Sequence, residues 1–68
     1  MQGIYTTSNV AKILGSSPAT ISRLFDKGIL KGYRIPGSKH RRIPEKNLVK
    51  FMEEYNIPFE ILKNRLHP

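Results

Sequence analysis

The 68-residue sequence predicts a single, mainly α domain carrying one small β-hairpin, in the order α-α-β-β-α. Three observations predict it. Two short amphipathic segments are separated only by Gly15 and Ser16, with Ser17 opening the second, which is the tight connection of two crossed helices. The apolar period then changes from helical to alternating over Lys31-Gly32-Tyr33-Arg34-Ile35 and back over Arg41-Arg42-Ile43, around a Pro36-Gly37 turn. A third helical pattern follows from Pro44, with Glu45 in its first turn, where an anion is favoured.

Taken in order, Ile4-Tyr5-Thr6 alternates and suits a short strand, and Thr7 offers a hydroxyl N-cap for a helix over Ser8 to Leu14 that Gly15 ends. Val10, Ala11 and Leu14 share its buried face, with Ile13 beside them and Lys12 pointing away. Ser17-Pro18 starts the next helix, Ser as cap and Pro pre-set for the first helical position. Ile21, Leu24 and Phe25 form its apolar stripe, Lys27 complements the dipole at its last turn and Gly28 stops it. Ile29 and Leu30 read as a core anchor for the hairpin. In the third helix Leu48, Phe51, Met52 and Tyr55 share the face that closes the core, and Asn56 can cap its end. Residues 1–56 thus form the domain. Residues 57–68 form a short extension in which Pro58 permits a helix with Phe59, Leu62 and Leu66 on one stripe and Ile61 and Arg65 off to one side. Two crossed helices followed by a two-stranded ribbon make a winged helix-turn-helix.

Charge points to the partner. The formal net charge is +7, and all of it sits in residues 1–43, where eight basic side chains face one acid, Asp26. Residues 44–68 hold four of each sign. An excess confined to one region fits a polyanion, double-stranded DNA above all. On the second helix the stripe at 21, 24 and 25 leaves Ala19, Thr20, Arg23 and Lys27 toward solvent. A small, polar, cationic face suits a major groove: Arg23 can bind guanine O6 and N7 together, Thr20 can meet phosphate or a thymine methyl, and Ala19 lets backbone come close. The amides at Ser17 can hold a phosphate. In the hairpin, Lys31, Arg34, Lys39, Arg41 and Arg42 fall within twelve residues that contain no acid. Strand parity sets Arg34 and Arg42 on a cationic side and Tyr33, Ile35, Arg41 and Ile43 on the other. Ser38, Lys39 and His40 at the tip can reach phosphates or a narrow minor groove.

Other chemistries lack residues. Cysteine is absent, His40 and His67 are far apart, and neither has an acid at ligand spacing, so no metal or cofactor site is expected. Glu53 and Glu54 are adjacent and point to different parts of a helix surface, and no phosphate-cradling glycine loop precedes a helix; no enzyme is expected. No apolar run reaches the length of a bilayer span and no signal peptide is seen, so the expected setting is the cytoplasm and nucleoid, without a membrane partner.

With these elements placed, the stretch from Tyr5 to about Phe51 resembles the excisionase-like branch of the MerR superfamily, including its small single-domain regulators. The residues that carry the resemblance are Thr6-Thr7, Val10-Ala11, Leu14-Gly15, Ser17-Pro18-Ala19-Thr20-Ile21, Gly28-Ile29-Leu30 and His40-Arg41-Arg42. The resemblance implies a winged helix-turn-helix with the helix from Pro18 in the major groove and the hairpin tip on flanking backbone or minor groove. Many relatives have Gly-Gly-His-Arg-Arg at the wing, whereas this chain runs Gly37-Ser38-Lys39-His40-Arg41-Arg42, one residue longer. Only about a dozen residues follow Asn56, so the dimerising coiled coil and effector domain of larger relatives are not expected, nor is a small-molecule effector. The readings that follow are a bacterial transcriptional regulator, with cooperative self-association on repeated DNA sites; a phage-type excisionase that bends DNA; and, from another class, a protein-interaction adaptor that uses the Phe59, Leu62, Leu66 stripe.

Overall fold

The computed structural model describes residues 3–61. Their order is β1 (Ile4–Tyr5), α1 (Thr7–Leu14), α2 (Pro18–Asp26), β2 (Tyr33–Arg34), β3 (Arg41–Pro44) and α3 (Glu45–Glu54). Three helices thus pack with a small antiparallel sheet of order β1-β3-β2, the winged helix-turn-helix arrangement. The predicted N-terminal strand does form, and it pairs with the returning strand of the hairpin, Ile4 opposite Pro44 and Tyr5 opposite Ile43. β3 is therefore central, and the wing is rooted in the sheet rather than hung from a loop.

Helix starts and stops follow side-chain chemistry, with one correction. The N-cap of α1 is Thr6, not Thr7. Asn9 N donates to Thr6 Oγ1 and Thr6 N donates to Asn9 Oδ1, both at 3.1 Å, a reciprocal box that satisfies two amides and draws Thr7 into the first turn. Ser17 caps α2 and Pro18 occupies its first turn as expected. All three helices end in one device. Gly15 (φ 70°), Gly28 (φ 78°) and Asn56 (φ 56°) take the left-handed conformation, and the residue after each donates back five positions: Ser16 to Ala11, Ile29 to Leu24, Ile57 to Met52, at 2.8–3.0 Å. Each stop turns the chain sharply and leaves no frayed end.

The core draws on every element except β2: Tyr5, Val10, Ala11, Ile13, Ile21, Leu30, Ile43, Leu48, Phe51 and Met52. Three expected core positions shift. Ile13, not Leu14, is the deeply buried residue at the end of α1, with Leu14 half-buried. Leu30 alone anchors the hairpin, since Ile29 is 37% exposed. Tyr55 falls at the end of α3, 55% exposed, its ring tilted against Phe51 at 4.9 Å between centroids. In each case the helix ends or turns within a residue of the position, so ideal periodicity no longer fixes where the side chain goes.

After Asn56 the chain doubles back and Ile57 and Ile61 pack on the core, while Phe59 is 45% exposed. This reverses the expected stripe for the two residues that can be compared; Leu62, Arg65 and Leu66, like His67, lie outside the described residues. Burial pushes the Tyr5 phenol above its ordinary pKa, and the charge of Glu45 adds to the shift. Among the described residues no helix is long and apolar enough to cross a membrane, and no group of three His, Cys, Asp or Glu is placed to hold a metal ion.

Candidate nucleic-acid interface

Helix α2 supplies one half of the candidate interface. Its nine residues span about 14 Å at the α-helical rise, and Ser17, Ala19, Arg23 and Lys27 are exposed along it. Arg23 and Lys27 have no ion-pair partner among the described residues. Thr20 differs from its expected setting: it is half-buried and its hydroxyl is 3.0 Å from Ser17 Oγ, which also accepts from Thr20 N at 3.2 Å. Ser17 and Thr20 thus lock the start of the helix together, and the exposed cations follow one and two turns later.

The wing supplies the other half, and its register reassigns its sides. Tyr33 pairs with Arg42, and Arg34 with Arg41. Directly opposed residues share a face, so Arg34 and Arg41 lie together, with Tyr33 and Arg42 on the other side. The expected sorting, Arg34 with Arg42, is therefore corrected: each side of the ribbon carries arginine. Tyr33 and Ile35 are both 45% exposed. Residues Ile35 to Ser38 close a turn in which Ser38 N donates to Ile35 O at 2.9 Å, with Gly37 at φ 86° after Pro36, the sequence and geometry of a type II turn. The tip continues beyond it, where His40 N donates to Ser38 Oγ at 3.1 Å and Lys39 and His40 remain exposed.

Arg34 and Arg41 converge on the carboxylate of Asp26, the last residue of α2. Arg41 Nε and Nη2 donate to Asp26 Oδ1 and Oδ2 at 3.1 and 2.9 Å, and Arg34 Nη2 donates to Oδ1 at 3.2 Å. The Arg41 guanidinium also lies over the Phe25 ring, 5.9 Å from its centroid. The Arg41 hydrogen bond foremost, joined by the charges of Arg41 and Arg34 and by the Arg34 hydrogen bond, holds the Asp26 carboxyl below its usual range, against burial, which ranks second and acts the other way. Gly32 completes the junction: a Cβ there would sit 2.7 Å from Phe25 Cε2 and collide with the carbonyl oxygen of Arg42. At the base, Asn47 Nδ2 of α3 donates to Lys31 O at 3.2 Å.

Two of the arginines expected on phosphates are therefore engaged within the molecule, whereas Lys27, Lys31, Lys39 and Arg42 have no ion-pair partner among the described residues. Arg42 is half-buried and its Nε is buried without a hydrogen-bond acceptor. Asp26 and Phe25 are the site residues that sequence reasoning passed over. A signal existed for Asp26: it is the only acid in residues 1–43, and a lone acid in a basic tract has a nearby cation to answer.

A helix-turn-helix domain family model matches residues 4–56. No curated protein and no solved structure matches the chain. The matched span runs from β1 through the end of α3 and takes in both α2 and the wing, and DNA is the partner that such a domain implies. By fold and by sequence, the chain belongs to the helix-turn-helix domain family.

Proposed function

We propose that the chain is a sequence-specific, double-stranded DNA-binding protein acting in bacterial transcription, of the excisionase-like branch of the MerR superfamily. Helix α2 enters the major groove, which is wide enough for an α-helix, with Arg23 reading guanine and Ala19 and Thr20 at the close approach. The wing lies on flanking backbone or minor groove, with Lys39, His40 and Arg42 toward phosphates and Ser38 at the tip. One observation carries this reading: the exposed cations of α2 and of the wing belong to elements joined through Asp26, so they meet a ligand as one basic unit. Side-by-side binding on repeated sites fits a domain of this size.

The test is duplex binding as a function of salt. Five exposed or half-buried cations lie outside the Asp26 cluster on α2 and the wing, Arg23, Lys27, Lys31, Lys39 and Arg42. If each neutralises one phosphate, log K falls against log salt with a slope of about −4.5. A flat plot sinks the proposal.

A second reading, DNA bending of the excisionase type, has one observation in its favour. Ile35 is 45% exposed beside Pro36 at the wing tip, and apolar residues on such projections can wedge between base steps. Circularly permuted duplexes decide it: mobility that varies with site position indicates a bend, and uniform mobility removes this reading while leaving the first.

A further inference from the structure

An acid on a surface that meets a polyanion repels its ligand, and Asp26 stands where α2 and the wing meet. Both carboxylate oxygens are used, and by arginines from opposite strands of the hairpin, so one side chain at the helix end ties down both strands. Arginine grips carboxylate and phosphate with the same forked geometry. Asp26 thus occupies the seat that a phosphate would take on Arg41.

We propose that Asp26 is a specificity-determining positioning residue. By clamping Arg34 and Arg41 it fixes the angle between α2 and the wing, and it withholds two guanidinium groups from phosphates that carry no sequence information. The inference rests on the DNA-binding reading. Phosphate contacts strengthen binding to every duplex alike, whereas base readout depends on how the groove-entering helix is held. Discrimination, the ratio of cognate to random affinity, gains from the clamp on both counts: random binding is lowered by the two missing contacts, and cognate binding is favoured by a preset geometry. Phe25 lies under the Arg41 guanidinium and Gly32 packs close to Phe25, so the clamp is seated on the end of α2.

The test uses the full chain, a cognate duplex obtained by binding-site selection, and a random duplex. Asp26→Asn is expected to raise random-duplex affinity severalfold, to steepen the salt slope by about 0.9 to 1.8 as one or two more phosphates are engaged, and to lower the cognate-to-random ratio about tenfold. Asp26→Glu is expected to restore the ratio in part. Arg41→Gln is expected to lower the ratio without any gain on random duplex, because it opens the clamp while removing a cation. Glu53→Gln makes the same change in net charge as Asp26→Asn at an exposed site on α3 and is expected to leave the ratio alone. If Glu53→Gln and Asp26→Asn behave alike, general charge explains the effect and the proposal is overturned.

Residual dipolar couplings of the free protein separate this proposal from the reading beneath it. In the wild type, α2 and the wing are expected to share one alignment tensor; in Asp26→Asn they are expected to need two. A shared tensor in the variant overturns the clamp whether or not DNA binds. Absence of salt-dependent duplex binding by the wild type sinks the DNA reading itself.

Discussion

Replacing Gly32 with Ala forces the wing off its seat. The added methyl group would meet the carbonyl oxygen of Arg42 on one side and Phe25 Cε2 at 2.7 Å on the other. The Phe25 ring can swing aside. The Arg42 carbonyl cannot, because it belongs to the central strand β3, held between β1 and β2 with its neighbour Ile43 fully buried. The segment at position 32, just ahead of β2, must lift instead, straining the Tyr33–Arg42 and Arg34–Arg41 pairs. Overpacking of this kind costs about 1–3 kcal/mol, set against a total stability of about 3–10 kcal/mol for a chain of this length. The lower unfolded-state entropy of alanine offsets less than about 1 kcal/mol. At about 4–8 °C per kcal/mol for a domain of this size, thermal unfolding followed by circular dichroism should show a midpoint lowered by several degrees or more. Duplex binding below the transition should weaken as well, because the same shift moves Arg42 and loosens the wing from α2. Gly37→Ala is the comparison: its Cβ would meet nothing within 4 Å, so its penalty comes from φ 86° alone and should leave the wing base in place. A Gly32→Ala protein that melts within a degree of wild type and binds duplex as well would refute the steric argument.

Further outcomes follow from single contacts. Thr6→Ala removes the α1 cap and should lower stability by about 0.5–2 kcal/mol, read as a urea midpoint, whereas Thr7→Ala should fall within about 0.5 kcal/mol of wild type; equal effects would return the cap to Thr7. Arg23→Ala should cost about 1–3 kcal/mol on cognate duplex and relax base preference, checked by competition between cognate and random duplexes. Arg42→Ala should weaken both duplexes alike and make the salt slope shallower by about 0.9. Asp26 titrates below its ordinary value in the folded chain because Arg41, then the charges of Arg41 and Arg34, favour its anion. Its stabilising contribution is therefore present above the unfolded value of about 3.9 and is lost as pH falls through the lower folded value. Acid unfolding curves of wild type and Asp26→Asn should diverge above that window and converge below it; parallel curves throughout would mean the clamp contributes nothing.

Element identity was readable because the breakers are strong and local. Gly15, Ser17-Pro18, Gly28 and Pro36-Gly37 each impose one backbone geometry, and the helix ends and the turn fall there. What sequence could not resolve lies where two elements meet. Thr6 and Thr7 are equal candidates for a cap until Asn9 is seen to complete the box with Thr6. Strand parity sorts residues along one strand, but the pairing of Arg34 with Arg41 depends on how many residues the turn consumes. The Asp26 cluster joins residues 8 and 15 positions apart, beyond any local period. Leu14 and Tyr55 went astray for a simpler reason: at the last turn of a short helix, the face is set by the stop that follows.

The left-handed turn at Asn56 also decides where the protein can be cut. It folds the chain back so that Ile57 and Ile61 cover the core that Leu48, Phe51 and Met52 build from within. A fragment ending at residue 56, where the family match stops, would keep both α2 and the wing and yet open the floor of the molecule to water. It would also strip the Met52 carbonyl of the amide that closes α3. Any shortened version intended for crystallography or for fusion to another module should therefore retain at least residue 61, and the boundary that matters for expression is one of packing, not of homology.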